Sequence, residues 1–267
     1  MPRPGADFTD LVTRTATGVA LAIVGLFAVW HGGLVFLALV SVTMAALTWE
    51  ALRLAGVTQA VIRIAVASGL VFAAVFLVDT AATTALLALP SVLVLLFGGL
   101  GAGAGRSGLA AATVLVIMLA GYVAVALRDG GGVIWILWVI LVVVITDICG
   151  YFAGRAIGGR KFWPSISPKK TWSGVLAGWL GAGAVGAAFM PSTDTGEGLI
   201  AVSIFLSFAS QMGDIAESAL KRQAGVKDSS NLLPGHGGVL DRLDGVIGAL
   251  LVLGFVALLT DFPEAPI

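Results

Sequence analysis

Long apolar runs constrain this sequence more than any other feature. A helix needs about 20 predominantly apolar residues to cross the hydrocarbon core of a bilayer. Runs of this kind lie near residues 14–31, 34–52, 61–79, 84–104, 108–127, 132–154, 172–190, 197–220 and 243–260. Only 11% of the 267 residues are charged and 58% are hydrophobic, whereas a soluble domain is about one quarter charged. The chain is therefore predicted to be an integral membrane protein.

The apolar runs are predicted to be α-helices, because backbone groups in lipid must pair within their own segment. They lack the alternation of polar and apolar residues that marks the strands of a membrane barrel. The predicted fold is an all-α, polytopic membrane helical bundle with about nine transmembrane helices. Pro90 leaves the limits of the fourth helix poorly defined. We divide the chain into N-terminal helices, 1–130, and a C-terminal region, 131–267, with polar loops at 154–171 and 221–240.

The basic residues indicate how the helices are oriented. If the N-terminus is cytoplasmic, nine spans place every Lys and Arg except Arg128 on the cytoplasmic side. These residues are Arg3, Arg14, Arg53, Arg63, Arg106, Arg155, Arg160, Lys161, Lys169, Lys170, Lys221, Arg222, Lys227 and Arg242. Cytoplasmic loops of membrane proteins carry such an excess. The sequence thus predicts a cytoplasmic N-terminus and an external C-terminus.

Net charge and cysteine content limit the partners and the cellular location that we expect for the protein. The formal net charge is zero, so no basic excess points to nucleic acid as a partner. The single cysteine excludes an intramolecular disulfide. We see no convincing signal-peptide cleavage site, so we expect the first helix to be retained. These features suit a multi-pass protein of a bacterial plasma (inner) membrane, and they are compatible with a homodimer without fixing the number of subunits.

The eighth apolar run carries a polar stripe. Ser207, Ser210, Asp214, Ser218 and Lys221 are spaced by three or four residues, so they share one face of a helix. Polar residues in a membrane helix face the bundle interior or a wet cavity. A seam of helix–helix hydrogen bonds could account for the serines alone. It does not account for an aspartate and a lysine near the inner membrane surface, which favour a functional site.

The loop at 221–240 and its flanks combine basic, glycine-rich and acidic residues. The order is Lys221-Arg222, Lys227-Asp228, the turn Pro234-Gly235-His236-Gly237-Gly238, then Asp241-Arg242-Leu243-Asp244. A glycine-rich turn can present consecutive backbone N–H groups to an anion, and Lys and Arg suit phosphates. Asp214 and Asp241 flank the loop and together could hold one hard cation, since carboxylates with substrate phosphates form the usual Mg²⁺ site. Each part alone could be a plain turn or an interfacial anchor, but the combined order is more specific.

A second polar segment, the 154–171 loop, follows the sixth apolar run. Asp147 and Tyr151 lie one turn apart at the end of that run, where Gly150, Gly154 and Gly158 recur every four residues and predict a close helix contact. The run Ser167-Pro168-Lys169-Lys170-Thr171-Trp172 follows. Its basic residues could serve only as membrane anchors, but anchoring does not require this run. We interpret it as a second phosphate-binding segment.

These residues resemble the phosphatidate cytidylyltransferase family, also called CDP-diacylglycerol synthase. The stretch 218–244, from Ser218 to Asp244, is similar to that family's signature nearly position by position. The upstream Gln211-Met-Gly-Asp214 and the segment 167–174 also fit, and the clear resemblance covers about 147–250. Ser173 stands where many members have Glu, which puts an acidic role at that position in doubt.

The resemblance implies transfer of CMP from CTP to phosphatidic acid in phospholipid biosynthesis, with CDP-diacylglycerol and pyrophosphate as products. The lipid bilayer would present phosphatidic acid at the interface, and CTP would arrive from the cytoplasm, where the basic residues are predicted to lie. The acceptor is already an anion at neutral pH, so no strong general base is required. The chief barrier is the approach of two anions, which Mg²⁺ and basic side chains would lower.

Specific roles follow from the pattern and the resemblance. The residues interpreted as catalytic are Asp214, Ser218, Lys221, Arg222, Lys227, Asp228, Asp241 and Asp244. Those interpreted as substrate-binding are Lys169, Lys170, Thr171, His236, Gly237, Gly238, Arg242, Asp147 and Tyr151. Asp214 and Asp241 are the predicted Mg²⁺ ligands, either of one ion or within a two-cation centre. His236 is either a phosphate ligand or a turn-stabilising residue.

Three other classes of membrane protein compete with this interpretation. A transporter would carry its polar residues near the bilayer midplane, often in inverted repeats, whereas here they cluster at one interface. A CTP-dependent lipid kinase would release CDP rather than pyrophosphate. A CDP-alcohol phosphotransferase would carry an Asp-Gly…Ala-Arg…Gly…Asp…Asp pattern, which is absent from this sequence.

Overall fold

The computed structural model describes residues 8–57, 61–78, 85–102, 104–260 and 262. Within these residues the chain forms nine α-helices and one short hairpin. The elements are α1 (Phe8–His31), α2 (Gly33–Leu54), α3 (Val61–Val78), a 3₁₀ turn (Ala85–Ala88), α4 (Leu89–Ala102), α5 (Ala104–Gly131), α6 (Val133–Ala156), β1 (Lys161–Trp163), β2 (Ser167–Thr171), α7 (Trp172–Thr193), α8 (Gly198–Gln223) and α9 (Leu240–Leu259). The predicted all-α class is confirmed. Arg3, predicted to be cytoplasmic, lies outside the described residues.

Seven helices of the described chain are long and apolar enough to cross a bilayer, namely α1, α2 and α5 to α9. The protein is therefore a multi-pass membrane protein. The other two apolar segments, Ile62–Val78 and Ala85–Leu96, are shorter. In the second of these, Pro90 helps to set where the α-helix begins, which shortens the helix relative to the predicted span. It lies in the first turn of α4, after the 3₁₀ turn, where its missing N–H disrupts no helical hydrogen bond.

Glycines allow two pairs of helices to approach closely. A Cβ on Gly174 of α7 would lie 2.6 Å from the carbonyl oxygen of Gly150 on α6. A Cβ on Gly213 or Gly248, at the contact of α8 with α9, would collide with backbone of the facing helix. Gly158 differs from the prediction, since it lies beyond the end of α6 with φ 65°. It therefore terminates the helix instead of extending the contact, a role for which glycine is preferred.

The segment after α6 is a β-hairpin, which the sequence did not reveal. Lys161 pairs with Thr171 and Trp163 with Ser167 in antiparallel register. The aromatic rings of Phe162 and Trp172 lie 4.8 Å apart at the base of the hairpin. Two strands of three and five residues, rich in lysine and interrupted by proline, carry too little β-propensity to be recognised. The hairpin delivers β2 directly to the start of α7.

The apolar core is continuous across the predicted boundary at residue 130. One cluster of buried side chains includes Leu47 of α2, Val114 of α5, Trp138 of α6 and Leu253 of α9. The boundary itself coincides with the junction of α5 and α6, where Gly132 has φ 79°. The N-terminal helices therefore pack directly on the helices that carry the polar loops.

Candidate active site

A polar cavity of about 600 Å³ opens between α6, α7, α8 and the hairpin. Six of the predicted site residues line it: Asp147, Tyr151, Lys169, Lys170, Thr171 and Asp214. Arg155, which the sequence analysis did not assign to the site, also lines it and donates a 3.0 Å hydrogen bond to the hydroxyl of Tyr151. The structure thus brings residues of the 154–171 segment beside Asp214 of α8, whereas no residue of the loop at 221–240 lines this cavity. The cavity offers three basic side chains beside two carboxylates, which suits a phosphorylated ligand with a cation.

Lys170 connects the hairpin to α8. Its Nζ lies 2.7 Å from Oδ2 of Asp214 and donates to the carbonyl oxygen of Gln211 at 3.2 Å. The side chain of Gln211 is buried and donates to the carbonyl of Val175, while it accepts from the indole N–H of Trp179. Gln211 therefore fixes α8 against α7 at the level of the cavity, and Lys170 is held where it would meet a ligand of Asp214.

Thr171 and Ser173 organise the junction between the hairpin and α7. Thr171 is buried, and its Oγ1 accepts a hydrogen bond from the backbone N–H of Gly174. It is thus the N-cap of α7, a position where threonine is favoured. The hydroxyl of Ser173 donates to the carbonyl of Gly158 at 2.5 Å. The residue that departs from the family pattern therefore ties the start of α7 to the end of α6.

Three carboxylates converge at the contact of α8 with α9. Each of Asp214, Glu217 and Asp244 offers an oxygen that lies within 4.8 Å of the others, a geometry that can hold a metal ion. The hydroxyl of Ser218 donates to Asp214 at 3.3 Å. The side chain of Glu217 is 3% exposed, and its Oε1 has no hydrogen-bond donor among the described residues. A buried carboxylate oxygen without a donor is costly, so this set of ligands fits a divalent cation.

Glu217 was missed in the sequence although a signal was present. It follows Asp214 by three residues and precedes Lys221 by four, so it belongs to the same helical face as the polar stripe. In the structure Lys221 Nζ lies 2.5 Å from Glu217 Oε2 and 2.7 Å from Asp241 Oδ1. Ser207 of the stripe serves helix packing, since it accepts a hydrogen bond from Thr146 of α6.

Asp241 lies outside the three-carboxylate cluster. Its Oδ1 accepts from Lys221, and its Oδ2 accepts from the backbone N–H and hydroxyl of Ser229 and from the N–H of Gly238. Lys221 and two backbone N–H groups therefore donate to this carboxylate, with the Ser229 hydroxyl shared between it and Glu50, and these contacts fix the loop at 224–239 to the start of α9. The structure groups Asp214 with Glu217 and Asp244, and the pairing of Asp214 with Asp241 as metal ligands stays a prediction.

Four consecutive N–H groups from the end of the glycine turn, those of residues 237–240, are engaged by the protein itself. The N–H of Gly237 donates to the carbonyl of Leu233, and that of Gly238 donates to Asp241. The next two, those of Val239 and Leu240, donate to the carboxylate of Glu50 on α2 at 2.9 and 2.6 Å. The composition of the turn suggests anion binding, and the anionic groups on Gly238, Val239 and Leu240 are carboxylates of the chain itself.

Other predicted residues lie around the turn and away from the cavity lining. The guanidinium of Arg242 donates twice to the carbonyl of His236, and Arg222 donates to the carbonyl of Val226. The imidazole of His236 packs against α1, where a Cβ on Gly18 would lie 3.4 Å from its Nε2. The buried Nδ1 of His236 has no hydrogen-bond partner among the described residues, and its role as a phosphate ligand or a turn-stabilising residue stays a prediction. Lys227 and Asp228 are exposed at the loop surface.

The sequence matches the profile described as the cytidylyltransferase family over residues 12–260. This chain belongs to that family. Among curated proteins it is 47% identical over 133 residues to a phosphatidate cytidylyltransferase of Brucella suis, a match covering 49% of each chain. It is 44% identical over 126 residues to one from Haemophilus influenzae, covering 45% of this chain and 44% of the relative. It is 40% identical over 131 residues to one from Bacillus subtilis, covering 48% and 49%.

Each of these matches spans about half the length of the relative. Membership of the cytidylyltransferase family agrees with the resemblance carried by the segment from Ser218 to Asp244.

The Lys221 ion pairs are testable through stability. Lys221→Met should lower the free energy of unfolding by about 3 kcal/mol, because it leaves the carboxylates of Glu217 and Asp241 buried without their cation. The double variant Glu217→Gln/Lys221→Met should lose less, because one uncompensated charge is then gone. Thermal and denaturant unfolding in detergent would measure both. Lys161→Met, at an exposed hairpin position, is the control, and wild-type stability of Lys221→Met would contradict the assignment.

Proposed function

We propose that this protein is a phosphatidate cytidylyltransferase. It transfers CMP from CTP to phosphatidic acid and yields CDP-diacylglycerol and pyrophosphate. The observation that carries the proposal is the placement of a basic cavity beside three converging carboxylates in a multi-pass membrane protein of the cytidylyltransferase family. The names of the relatives support the choice of phosphatidate as the acceptor.

The proposed chemistry assigns the triphosphate to the polar cavity. Lys169, Lys170 and Arg155 are the basic groups that line it, and they would neutralise the phosphates of CTP. An oxygen of the phosphatidate phosphate attacks the α-phosphorus, and the bond from that phosphorus to the oxygen bridging to the β-phosphate breaks, so pyrophosphate leaves. The nucleophile is an anion at neutral pH, so the chain has to position and neutralise charge more than it has to move protons.

Asp214, Glu217 and Asp244 are the residues that we propose to hold Mg²⁺, singly or with a second cation nearby. A divalent cation at this position would neutralise phosphate charge and polarise phosphoryl oxygens. Ser218 keeps Asp214 oriented through its hydrogen bond. Lys221 bridges Glu217 and Asp241 through its ammonium group. Asp241 then acts on the loop through the donors of Ser229 and Gly238.

A second cavity suits the lipid acceptor. It measures about 610 Å³ and is lined mostly by apolar side chains of α5, α8 and α9, including Val116, Phe205 and Leu251. Glu217 and Asp244 also line it. An acyl chain lying along the apolar part would place the attached phosphate beside the carboxylate cluster. Asp214 lines the first cavity, whereas Glu217 and Asp244 line the second. The carboxylate cluster thus lies between the two cavities, as a reaction between a lipid and a nucleotide requires.

We further propose nine spans with a cytoplasmic N-terminus, an external C-terminus and an active site on the cytoplasmic face of a bacterial inner membrane. The ends of α2, α6 and α8 and the starts of α7 and α9 meet at the site, which agrees with that alternation. Arg128 lies near the C-terminal end of α5, on the opposite side of the bundle from the site in this arrangement. It donates to the carbonyls of Val29 and Trp30. The one basic residue predicted to lie outside is thus used to cap the end of α1.

The identity of the released product tests the proposed function. Protein purified in detergent and supplied with CTP, phosphatidic acid and Mg²⁺ should release pyrophosphate and form CDP-diacylglycerol in equal amounts, followed by coupled phosphate assay and lipid chromatography. Asp214→Asn should lower this rate by at least about 10³-fold if it removes a metal ligand. Release of CDP would indicate a lipid kinase. Absence of product with both Mg²⁺ and Mn²⁺ would overturn the proposal.

Binding of Mn²⁺ distinguishes the two candidate ligand sets. The wild-type protein should bind Mn²⁺, as measured by electron paramagnetic resonance. Asp214→Asn and Asp244→Asn should each weaken this binding about tenfold or more. Even residues that only hydrogen-bond to a metal ligand change metal affinity by about 10–100-fold. Asp241→Asn should lose activity and retain Mn²⁺ binding, because Asp241 holds the loop. If Asp241→Asn lost the metal as fully as Asp214→Asn, the pairing of Asp214 with Asp241 would be favoured instead.

Two lysines of one hairpin test the nucleotide cavity. Lys169 lines the cavity, whereas Lys161 is exposed on the same hairpin and does not line it. Lys169→Gln should raise KM for CTP about tenfold, which is the loss of one charge-assisted hydrogen bond to phosphate. Lys161→Gln should leave KM within about twofold. Steady-state kinetics at saturating phosphatidic acid would measure both values of KM. Equal effects at the two positions would contradict the assignment of the triphosphate to this cavity.

A further inference from the structure

We propose that Glu50, on the second helix, is a positioning residue for the candidate active site. It does not line either cavity, and nothing in the loop sequence points to it. Its carboxylate holds the loop at 224–239 and the start of α9 in place, and through them it sets Asp241 and Lys221. The proposal rests on the proposed function for its kinetic part and on the hydrogen bonds alone for its structural part.

Glu50 is a fully buried carboxylate that is saturated with donors. Its exposed fraction is 0%. The hydroxyl of Ser230 donates to Oε1 at 2.5 Å, and the hydroxyl of Ser229 lies 3.2 Å from Oε2. The backbone N–H groups of Val239 and Leu240 complete the set. A charged residue near the end of a membrane helix is often an interfacial anchor, but an anchor is exposed to water. Complete burial with three donors of its own, and a fourth hydroxyl shared with Asp241, indicates a structural connection between α2 and the loop.

The start of α9 depends on this carboxylate. Val239 is the N-cap residue of α9, and it has no side-chain cap. The first N–H groups of a helix need acceptors, and a negative charge near them is stabilising. Glu50 supplies both from another helix. A Cβ on Gly238 would lie 2.5 Å from Glu50 Oε1 and would overlap the hydroxyl of Ser229. This close approach is the physical reason for glycine at that position of the turn.

A chain of contacts leads from Glu50 to the carboxylate cluster. The hydroxyl of Ser229 lies between Glu50 Oε2 and Asp241 Oδ2, at 3.2 and 3.0 Å. Asp241 in turn binds Lys221, and Lys221 binds Glu217. Glu50 therefore acts on the acidic cluster without touching it. The basic groups of the nucleotide cavity belong to α6 and the hairpin, so a disturbed loop should impair turnover more than binding of CTP.

The experiment compares Glu50→Gln with Thr48→Val in the full chain in detergent. Thr48 lies on the same helix, is equally buried, and its hydroxyl has no hydrogen-bond partner among the described residues. Glu50→Gln keeps the size of the side chain but presents an N–H₂ group to donors. We expect kcat to fall about tenfold or more, since a buried donor loses its acceptor, with KM for CTP within about twofold. Thr48→Val should match the wild type.

Limited trypsin digestion gives a readout that does not depend on activity. Arg222 and Lys227 are exposed in or beside the loop, and cleavage there should be several-fold faster in Glu50→Gln than in Thr48→Val. If Glu50→Gln does not fold, Ser230→Ala replaces it, because it leaves the Glu50 carboxylate in place and removes one of its donors, together with the acceptor of the Leu232 N–H. It should give a smaller loss of kcat and faster cleavage.

The outcomes separate the two proposals. Wild-type kcat and wild-type cleavage in Glu50→Gln, or in its substitute Ser230→Ala, would overturn the positioning role. So would a lower unfolding temperature with unchanged kcat below that temperature, since this is the result of a purely structural contact. An inactive wild-type protein would refute the proposed function. The digestion would then still decide whether Glu50 secures the loop.

Discussion

The arrangement of the site depends on one ammonium group between two largely buried carboxylates. Lys221 lies 2.5 Å from Glu217 and 2.7 Å from Asp241, where either acid alone would be costly to bury. The lysine joins the end of α8 to the start of α9 and divides the acidic residues into two sets. Asp241 serves the loop, while Glu217 still offers an oxygen to Asp214 and Asp244. The metal candidate and the loop anchor are thus parts of one charge network.

Close packing of the helices makes this network feasible. Gly213 and Gly248 lie at the contact of α8 with α9, where a Cβ would collide with the facing backbone. Because they lack a side chain, the backbones of two helices that each carry acidic residues can pack directly against one another. On the other side of the cavity, Gly150 and Gly174 do the same for α6 and α7. Helices α6, α7 and α8 and the hairpin border the polar cavity, and α9 packs against α8 on its other side.

Much of the site could be predicted because chemistry-bearing residues are rare in an apolar chain. Asp147, Lys170 and Asp214 were recognised by their position at helix ends, and the structure places them around one cavity. Glu217 followed the same helical spacing but was overlooked. Glu50 carries no local signal, because its partners lie about 180 residues further along the chain and only packing brings them together.

The sequence by itself determined that the chain is a helical membrane protein and that its polar chemistry gathers in two loops. Hydropathy and charge suffice for this, since lipid forces backbone groups into helices and excludes unpaired charge. Only the tertiary structure decided which acid meets which base. Asp241 and Asp244 are three residues apart, yet one binds the loop and the other joins Asp214. That choice depends on the rotation and close approach of α8 and α9, which no spacing along a single helix encodes.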